Sequence, residues 1–164
     1  MTDTEYAALA TAMMPGMFRM AYSILENRHD AEDAVQQALL NAWKSRDKAR
    51  PGAERAWMTR IVVNGALKSL RGSGRISYVE ELPDCEEEDL ESLPQVPPAI
   101  LADMIKALPD GYRTVFNLFV FEKKSHKEIA ELLGIKENSS ASQFFRARAL
   151  LARQIKDYLK HYEP

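Results

Sequence analysis

Apolar side chains recur along this chain at intervals of three and four, the period that gathers them on one face of an α-helix, and strict alternation is nearly absent. The pattern predicts an all-α protein without a sheet. Near the N-terminus, residues 6–14 predict a short helix. Pro15, poorly tolerated inside a helix but favoured in its first turn, predicts a second one through Met17, Phe18, Met20, Ala21, Ile24 and Leu25. The clearest helix comes next: Asp30 offers an N-cap, and Ala31, Ala34, Val35, Ala38, Leu39, Ala42 and Trp43 share a face. A loop at 45–52 contains Lys48, Arg50 and Pro51. Beyond it a fourth helix over 54–70 is apolar around most of its circumference, with Trp57, Met58, Ile61, Val62, Val63, Ala66, Leu67 and Leu70.

Between residues 71 and 98 the periodicity stops. Gly72, Ser73 and Gly74 end the helical pattern, and then come Pro83, Asp84, the run Glu86-Glu87-Glu88-Asp89, and Pro94, Pro97 and Pro98, a composition with little to bury. The expected organisation is therefore two small helical domains, 1–72 and 99–164, joined by a flexible acidic linker at 73–98. In the second, Pro98 opens a helix with Leu101, Met104, Ile105 and Leu108 on one face, and Pro109-Asp110-Gly111 turns the chain into a helix carrying Val115, Phe116 and Phe119. Ser125 and Glu128 then form a capping box, Ile129, Ala130, Leu132 and Leu133 fill a helix, Gly134 suits its left-handed end, and Asn138 or Ser139 caps the next. The sequence of elements is helix, tight turn, helix.

Composition narrows the class of protein. Of the 164 residues 46 % are hydrophobic and 28 % charged, which excludes disorder throughout. With no apolar run of about 18 residues and no basic-then-apolar leader, a cytoplasmic chain without membrane insertion is expected. Cys85 stands alone, which excludes an internal disulfide and a multi-cysteine zinc site, and reads as a solvent-facing thiol. The net charge of -2 argues against nucleic acid until it is divided by segment: residues 1–77 hold 11 basic and 8 acidic side chains, 78–98 hold none and 8, and 99–164 hold 11 and 8. Screening over about 8 Å makes these local blocks, not the total, decide what each surface attracts.

On the last helix, Phe144, Ala147, Leu151 and Ile155 fall on one side and Asn138, Ser142, Arg146 and Arg153 on the other, with Ser139 and Gln143 at the edge. A helix that reads DNA in the major groove needs this division, since Gln can pair with adenine and Arg with guanine or phosphate; Arg148 and Lys136 suit backbone contacts. A merely solvated polar face has the same pattern. In the first domain Arg60, Asn64, Lys68 and Arg71 form a stripe on the fourth helix, close in sequence to the cationic loop with Lys48 and Arg50, a combination suited to single-stranded nucleic acid and also to an ordinary polar seam. Opposite the core face of the third helix, Leu40 lies among Asp33, Gln36, Gln37 and Lys44, which reads equally as a protein docking site or as an unremarkable exposed leucine.

The stretch Asp30-Ala31-Glu32-Asp33-Ala34-Val35-Gln36-Gln37-Ala38-Leu39-Leu40-Asn41-Ala42-Trp43, followed by Arg55-Ala56-Trp57-Met58-Thr59-Arg60-Ile61-Val62-Val63-Asn64, resembles the first domain of extracytoplasmic-function (ECF) sigma factors. The second domain agrees through Leu108-Pro109-Asp110-Gly111-Tyr112-Arg113-Thr114-Val115-Phe116, Ser125-His126-Lys127-Glu128-Ile129-Ala130-Glu131-Leu132-Leu133-Gly134-Ile135 and Arg146-Ala147-Arg148. The resemblance implies a sigma factor that binds core RNA polymerase and promoter DNA, with no catalytic residue, metal or cofactor. It implies that Asp33, Gln36, Gln37 and Leu40 dock on the polymerase clamp. Arg60, Asn64 and Lys68 would then lie near the melted minus-ten strand, with the 48–52 loop near a flipped base. Ser142, Gln143 and Arg146 would read the minus-thirty-five element while the second domain rests on the polymerase flap, and the acidic linker would run through the RNA-exit path. An anti-sigma protein covering the first domain is also implied. Ser140, where a small apolar residue is common, Ala141, where a basic one is, and Phe145, where a polar one or His is, depart from the family pattern.

Three other readings compete. A conventional regulator would dimerise through its first domain and bind an operator tightly without polymerase. An interaction module that sequesters a partner would bind no DNA. An enzyme would be built on His29, Asp30, Glu32 and Asp33, but four donors crowded at one helix start point in several directions.

Overall fold

The computed structural model describes residues 1–72 and 95–162, with Arg71 and Tyr162 described for their backbone alone. Among the described residues the regular structure is seven α-helices and one short 3-10 turn, with no strand. The helices are α1 (Asp3–Leu25), α2 (Arg28–Lys44), α3 (Glu54–Gly72), α4 (Pro98–Lys106), α5 (Asp110–Val120), α6 (His126–Leu133) and α7 (Glu137–Tyr162). They fall into two compact units, α1 to α3 in the first and α4, α5, α7 and most of α6 in the second. Cys85 and most of the expected linker lie outside the described residues.

The first unit is a three-helix bundle in which each helix packs on the other two. Its core is Met17, Ala21, Ile24 and Leu25 of α1, Ala31, Val35, Ala38 and Ala42 of α2, and Met58, Val62, Val63, Ala66, Leu67 and Leu70 of α3. The three buried alanines of α2 let its backbone approach the other two helices closely. The split expected at Pro15 does not occur: α1 is one helix with Pro15 inside it. Pro15 removes one amide donor, but Pro15 and Thr11, whose carbonyl it leaves unpaired, are both exposed, so water can satisfy that oxygen. The helix gains at its start instead, where Thr2 Oγ1 accepts from Glu5 N at 3.1 Å and Thr2 N donates to Glu5 Oε2 at 3.1 Å. The start of α2 also differs from expectation. Asn27, not Asp30, is the N-cap: its Oδ1 accepts from Asp30 N at 2.9 Å, and Asp30 sits in the first turn, where its charge favours the helix dipole.

In the second unit Ile105, Leu108, Tyr112, Phe116, Ala147 and Leu151 form a core flanked by Leu101, Met104, Phe144 and Leu150. Residues 112–118 of α5 are buried on every face, Arg113 among them. Its guanidinium donates to Asp110 Oδ1 at 2.6 Å and to the Leu108 carbonyl at 3.2 Å, pairing a charge that burial would otherwise make costly. The capping box at α6 forms as expected, with Ser125 Oγ accepting from Glu128 N at 3.1 Å and Ser125 N donating to Glu128 Oε1 at 3.2 Å. Gly134 takes φ 68°, the left-handed end of α6. Helix α7 starts at Glu137, earlier than a cap at Asn138 or Ser139 would allow; Ser140 N already donates to the Lys136 carbonyl at 3.1 Å.

Candidate nucleic-acid interface

On α3 the buried residues leave one open strip. Arg60, Asn64 and Lys68 are exposed along it, edged by exposed Ala56, Gly65 and Ser69, which have little or no side chain. The side chain of Arg71, expected to extend the strip, lies outside the described residues. Trp57 is half-buried rather than displayed as a platform. The neighbouring loop exposes Lys48, Arg50, Pro51 and Gly52, with Gly52 at φ 85°. A bond from Glu54's own backbone N–H, with one that Gly52 N donates to Glu54 Oε1 at 3.0 Å, holds the Glu54 carboxyl below the ordinary range. Beside the loop a cleft of about 390 Å³ opens between the starts of α1 and α3, lined by Met1, Glu5, Leu9, Gly52, Glu54 and Arg55. Nothing in the sequence pattern brings the start of α1 to this loop, because the residues concerned are far apart along the chain.

The outer face of α2 presents Asp33, Gln36, Gln37 and Leu40, all exposed, with Leu40 at 53 %. Gln37 donates to Asn41 Oδ1 at 3.1 Å, and Asp33 lies 3.4 Å from His29 Nε2. Arg28 pairs with Glu32 at 3.1 Å, so Glu32 and Asp33 both engage neighbours on their own helix. Among the described residues no group of three His, Cys, Asp or Glu side chains gathers as a metal site would require. At the far end of α2, Arg46 lies 3.9 Å over the Trp43 ring, which meets Tyr6 edge-on at 5.1 Å. Tyr6 donates its hydroxyl to the Leu39 carbonyl, and burial pushes its acidity down, raising the pKa. This cluster ties the start of α1 to the end of α2 and stabilises the surface that carries Leu40.

The reading face expected on α7 divides in two. Lys136, Asn138, Ser142 and Arg153 are exposed, whereas Ser139, Gln143, Arg146 and Arg148 are half-buried. Gln143 leans over the first turn of α5: a methyl group placed on Gly111 would come within 3.1 Å of Gln143 Oε1. One guanidinium nitrogen of Arg146, Nη1, is out of water without a hydrogen-bond partner among the described residues. Phe145 is half-buried and Ala141 exposed. Phe144 joins an aromatic group, 4.4 Å from Phe119 and 5.9 Å from Phe116. The side chain that sequence reasoning passed over is His126. It stacks on Phe119 at 4.5 Å and bonds through Nδ1 to Ser140 Oγ at 2.9 Å. The available signal was a serine at a position of α7 that faces inward.

Comparison with known proteins gives the following. The family model for Sigma-70 region 2 matches residues 9–76, and that for Sigma-70 region 4 matches residues 99–151. The ECF RNA polymerase sigma factor SigE of Mycolicibacterium smegmatis is 32 % identical over 158 residues, covering 88 % of this chain; the chain spans 58 % of that protein's length. The ECF RNA polymerase sigma factor SigM of Mycobacterium tuberculosis is 31 % identical over 145 residues, 85 % of this chain and 71 % of that protein. Among solved structures, the Bartonella quintana sigma factor RpoE, crystallised with the anti-sigma factor NepR, matches in fold with a TM-score of 0.69 at 21 % identity, covering 93 % of this chain and 97 % of that one.

Proposed function

Because this chain belongs to the ECF family of RNA polymerase sigma factors, we propose that it binds core RNA polymerase and directs initiation at particular promoters, opening the minus-ten element with its first unit and reading the minus-thirty-five element with its second. Its contribution is binding and positioning, and the chemistry of RNA synthesis belongs to the polymerase.

The observation that carries this reading is the division of α3, whose core face is sealed while Arg60, Asn64 and Lys68 form an open cationic strip edged by small residues. A single strand laid along such a strip meets charge for its phosphates and an amide for a base edge. The adjoining cleft, with Leu9 and Met1 on its wall and Lys48 and Arg50 on the nearby loop, gives an unstacked base somewhere to go. On α7, Ser142 is free to meet bases, Gln143 stands next to it and Arg146 lies one turn further along. Lys136, Ser139 and Arg148 complete the phosphate and groove contacts.

Asp33, Gln36, Gln37 and Leu40 form the polymerase-docking face, an apolar centre with a polar rim. The same face suits an anti-sigma partner that blocks polymerase until a signal releases it, and the crystallised relative in complex with NepR supports that mode of control. In this reading the chain works as two domains, 1–72 and 99–164, with the acidic segment 73–98 as the strap between them. Promoter-directed run-off transcription tests the proposal. With core polymerase, the chain is expected to yield a product whose amount falls when either promoter element is scrambled. A product indifferent to both elements, or no product, contradicts it.

A further inference from the structure

We propose that the hydrogen bond between the His126 imidazole and the Ser140 hydroxyl sets the rotation at which α7 is presented to DNA, making both of them positioning residues for the choice of minus-thirty-five sequence. This rests on the reading of α7 as the helix that meets duplex DNA.

Ser140 is 0 % exposed, and a hydroxyl cut off from water must find a partner or lose the bonds that water would have given it. Its Oγ lies 2.9 Å from His126 Nδ1. The imidazole has little freedom of its own. It stacks on Phe119 with centroids 4.5 Å apart and planes 12° apart, and its edge meets Phe144 of α7 at 5.8 Å. Its backbone is held as well, because His126 opens α6 immediately after Ser125, whose bonds with Glu128 lock that helix start. The ring is thus a fixed post between α5 and α7, and Ser140 is tied to it.

The kind of contact matters. Apolar side chains packed at this point could slide or roll at little cost, whereas a hydrogen bond confines its two heavy atoms to a separation range of a few tenths of an ångström and weakens steeply once its angle falls below about 120°. Ser140 lies in the first turn and a half of α7, between Ser139 and Ser142 and next to the turn that carries Gln143 and Arg146. A small roll of the helix there displaces those groups sideways in the groove, and paired contacts to one base edge tolerate little displacement. A serine here departs from the small apolar residue expected at this position, so the directional tie is a feature of this chain. His126 and Ser140 touch no base in this account; they act by aiming residues that do.

The test uses the full chain with core polymerase and a promoter pool randomised at the minus-thirty-five element, read by sequencing the transcripts. Ser140→Ala leaves the imidazole nitrogen without its partner and can weaken the fold, so the deciding variant is the double change Ser140→Ala with His126→Phe. It keeps the ring stack and removes both polar atoms, which restores an apolar and satisfied core. The proposal expects the double variant to melt near the wild-type temperature yet lose discrimination among minus-thirty-five sequences by about fivefold or more, since one misaligned base pair contact is worth about that much. Preferences in a second pool randomised at the minus-ten element should not change. Ser140→Thr, which retains the hydroxyl, should recover the wild-type ranking, and the imidazole ¹⁵N shifts of wild type and Ser140→Thr should agree while those of Ser140→Ala differ. A double variant as selective as wild type overturns the proposal and leaves the reading of α7 intact. A wild-type chain with no minus-thirty-five preference overturns both.

Discussion

Lys123 follows the end of α5 with φ 54°, in the left-handed region where a side chain collides with its own backbone. The next amide, Lys124 N, donates to the Leu118 carbonyl at 3.0 Å, so the turn closes the helix as a glycine would. Lys123→Gly is therefore expected to raise stability by about 1 kcal/mol, measured as a shift in the urea midpoint. An unchanged or lower midpoint would show that the lysine side chain contributes enough to offset its strain. Gly134, in the same conformation, was legible in the sequence because glycine announces it; Lys123 was not, because lysine carries no such signal. Leu40 was legible as an apolar residue on a polar face, and at 53 % exposure it can be removed without disturbing the core. Leu40→Asp should leave thermal stability within about 0.5 kcal/mol of wild type while weakening association with core polymerase at least about tenfold, as a buried charge at an interface centre would. Equal affinity in a pull-down titration would reduce Leu40 to an ordinary exposed leucine.

At the scale of elements, helix existence and core faces followed from the three-and-four spacing, while helix ends depended on choices between adjacent caps. Asn27 took the place of Asp30 because it stands outside the helix with its amide oxygen facing the first turn, and the continuous α1 survived Pro15 because its affected carbonyl faces water. Both outcomes turn on side-chain orientation, which periodicity does not contain. The acidic caps carry a pH consequence. Glu54 and Glu128 are held below the ordinary carboxylate range, Glu54 by backbone N–H groups and Glu128 by the backbone and hydroxyl of Ser125. Hydrogen bonds to the ionised form depress the folded-state pKa, so this stabilisation is complete above the unfolded-state value and disappears as pH falls through the lowered folded value. Glu128→Gln keeps an acceptor for Ser125 N without the titration. Because neutral Gln lacks the ionised-form stabilisation at every pH, acid unfolding followed by circular dichroism should be displaced to higher pH in that variant, and a coincident curve would mean the cap contributes nothing to acid sensitivity. On α3 the strip was legible by helical angle. The half-burial of Gln143 on α7 was not, since it depends on how close α5 approaches.

For the whole molecule, the division of charge into two basic blocks and one acidic segment explains how a chain of net charge -2 can serve a polyanion. Each basic block works locally, because screening confines its reach to about 8 Å, and neither carries enough charge to hold DNA firmly alone. Arg60→Glu should lower open-complex formation and flatten its salt dependence by about one unit of logarithmic slope or more, as the loss of a phosphate contact does. An unchanged slope would remove Arg60 from the strand's path. The central claim is that affinity for promoter DNA arises only when polymerase aligns the two units. Fluorescence anisotropy of one labelled promoter duplex, titrated with this chain alone and then with this chain plus core polymerase, measures that claim directly. The account predicts feeble binding by the chain alone and strong, salt-sensitive, sequence-dependent binding with polymerase. Tight, sequence-specific binding by the chain alone, unaltered by polymerase, would contradict it and point to a conventional operator-binding regulator.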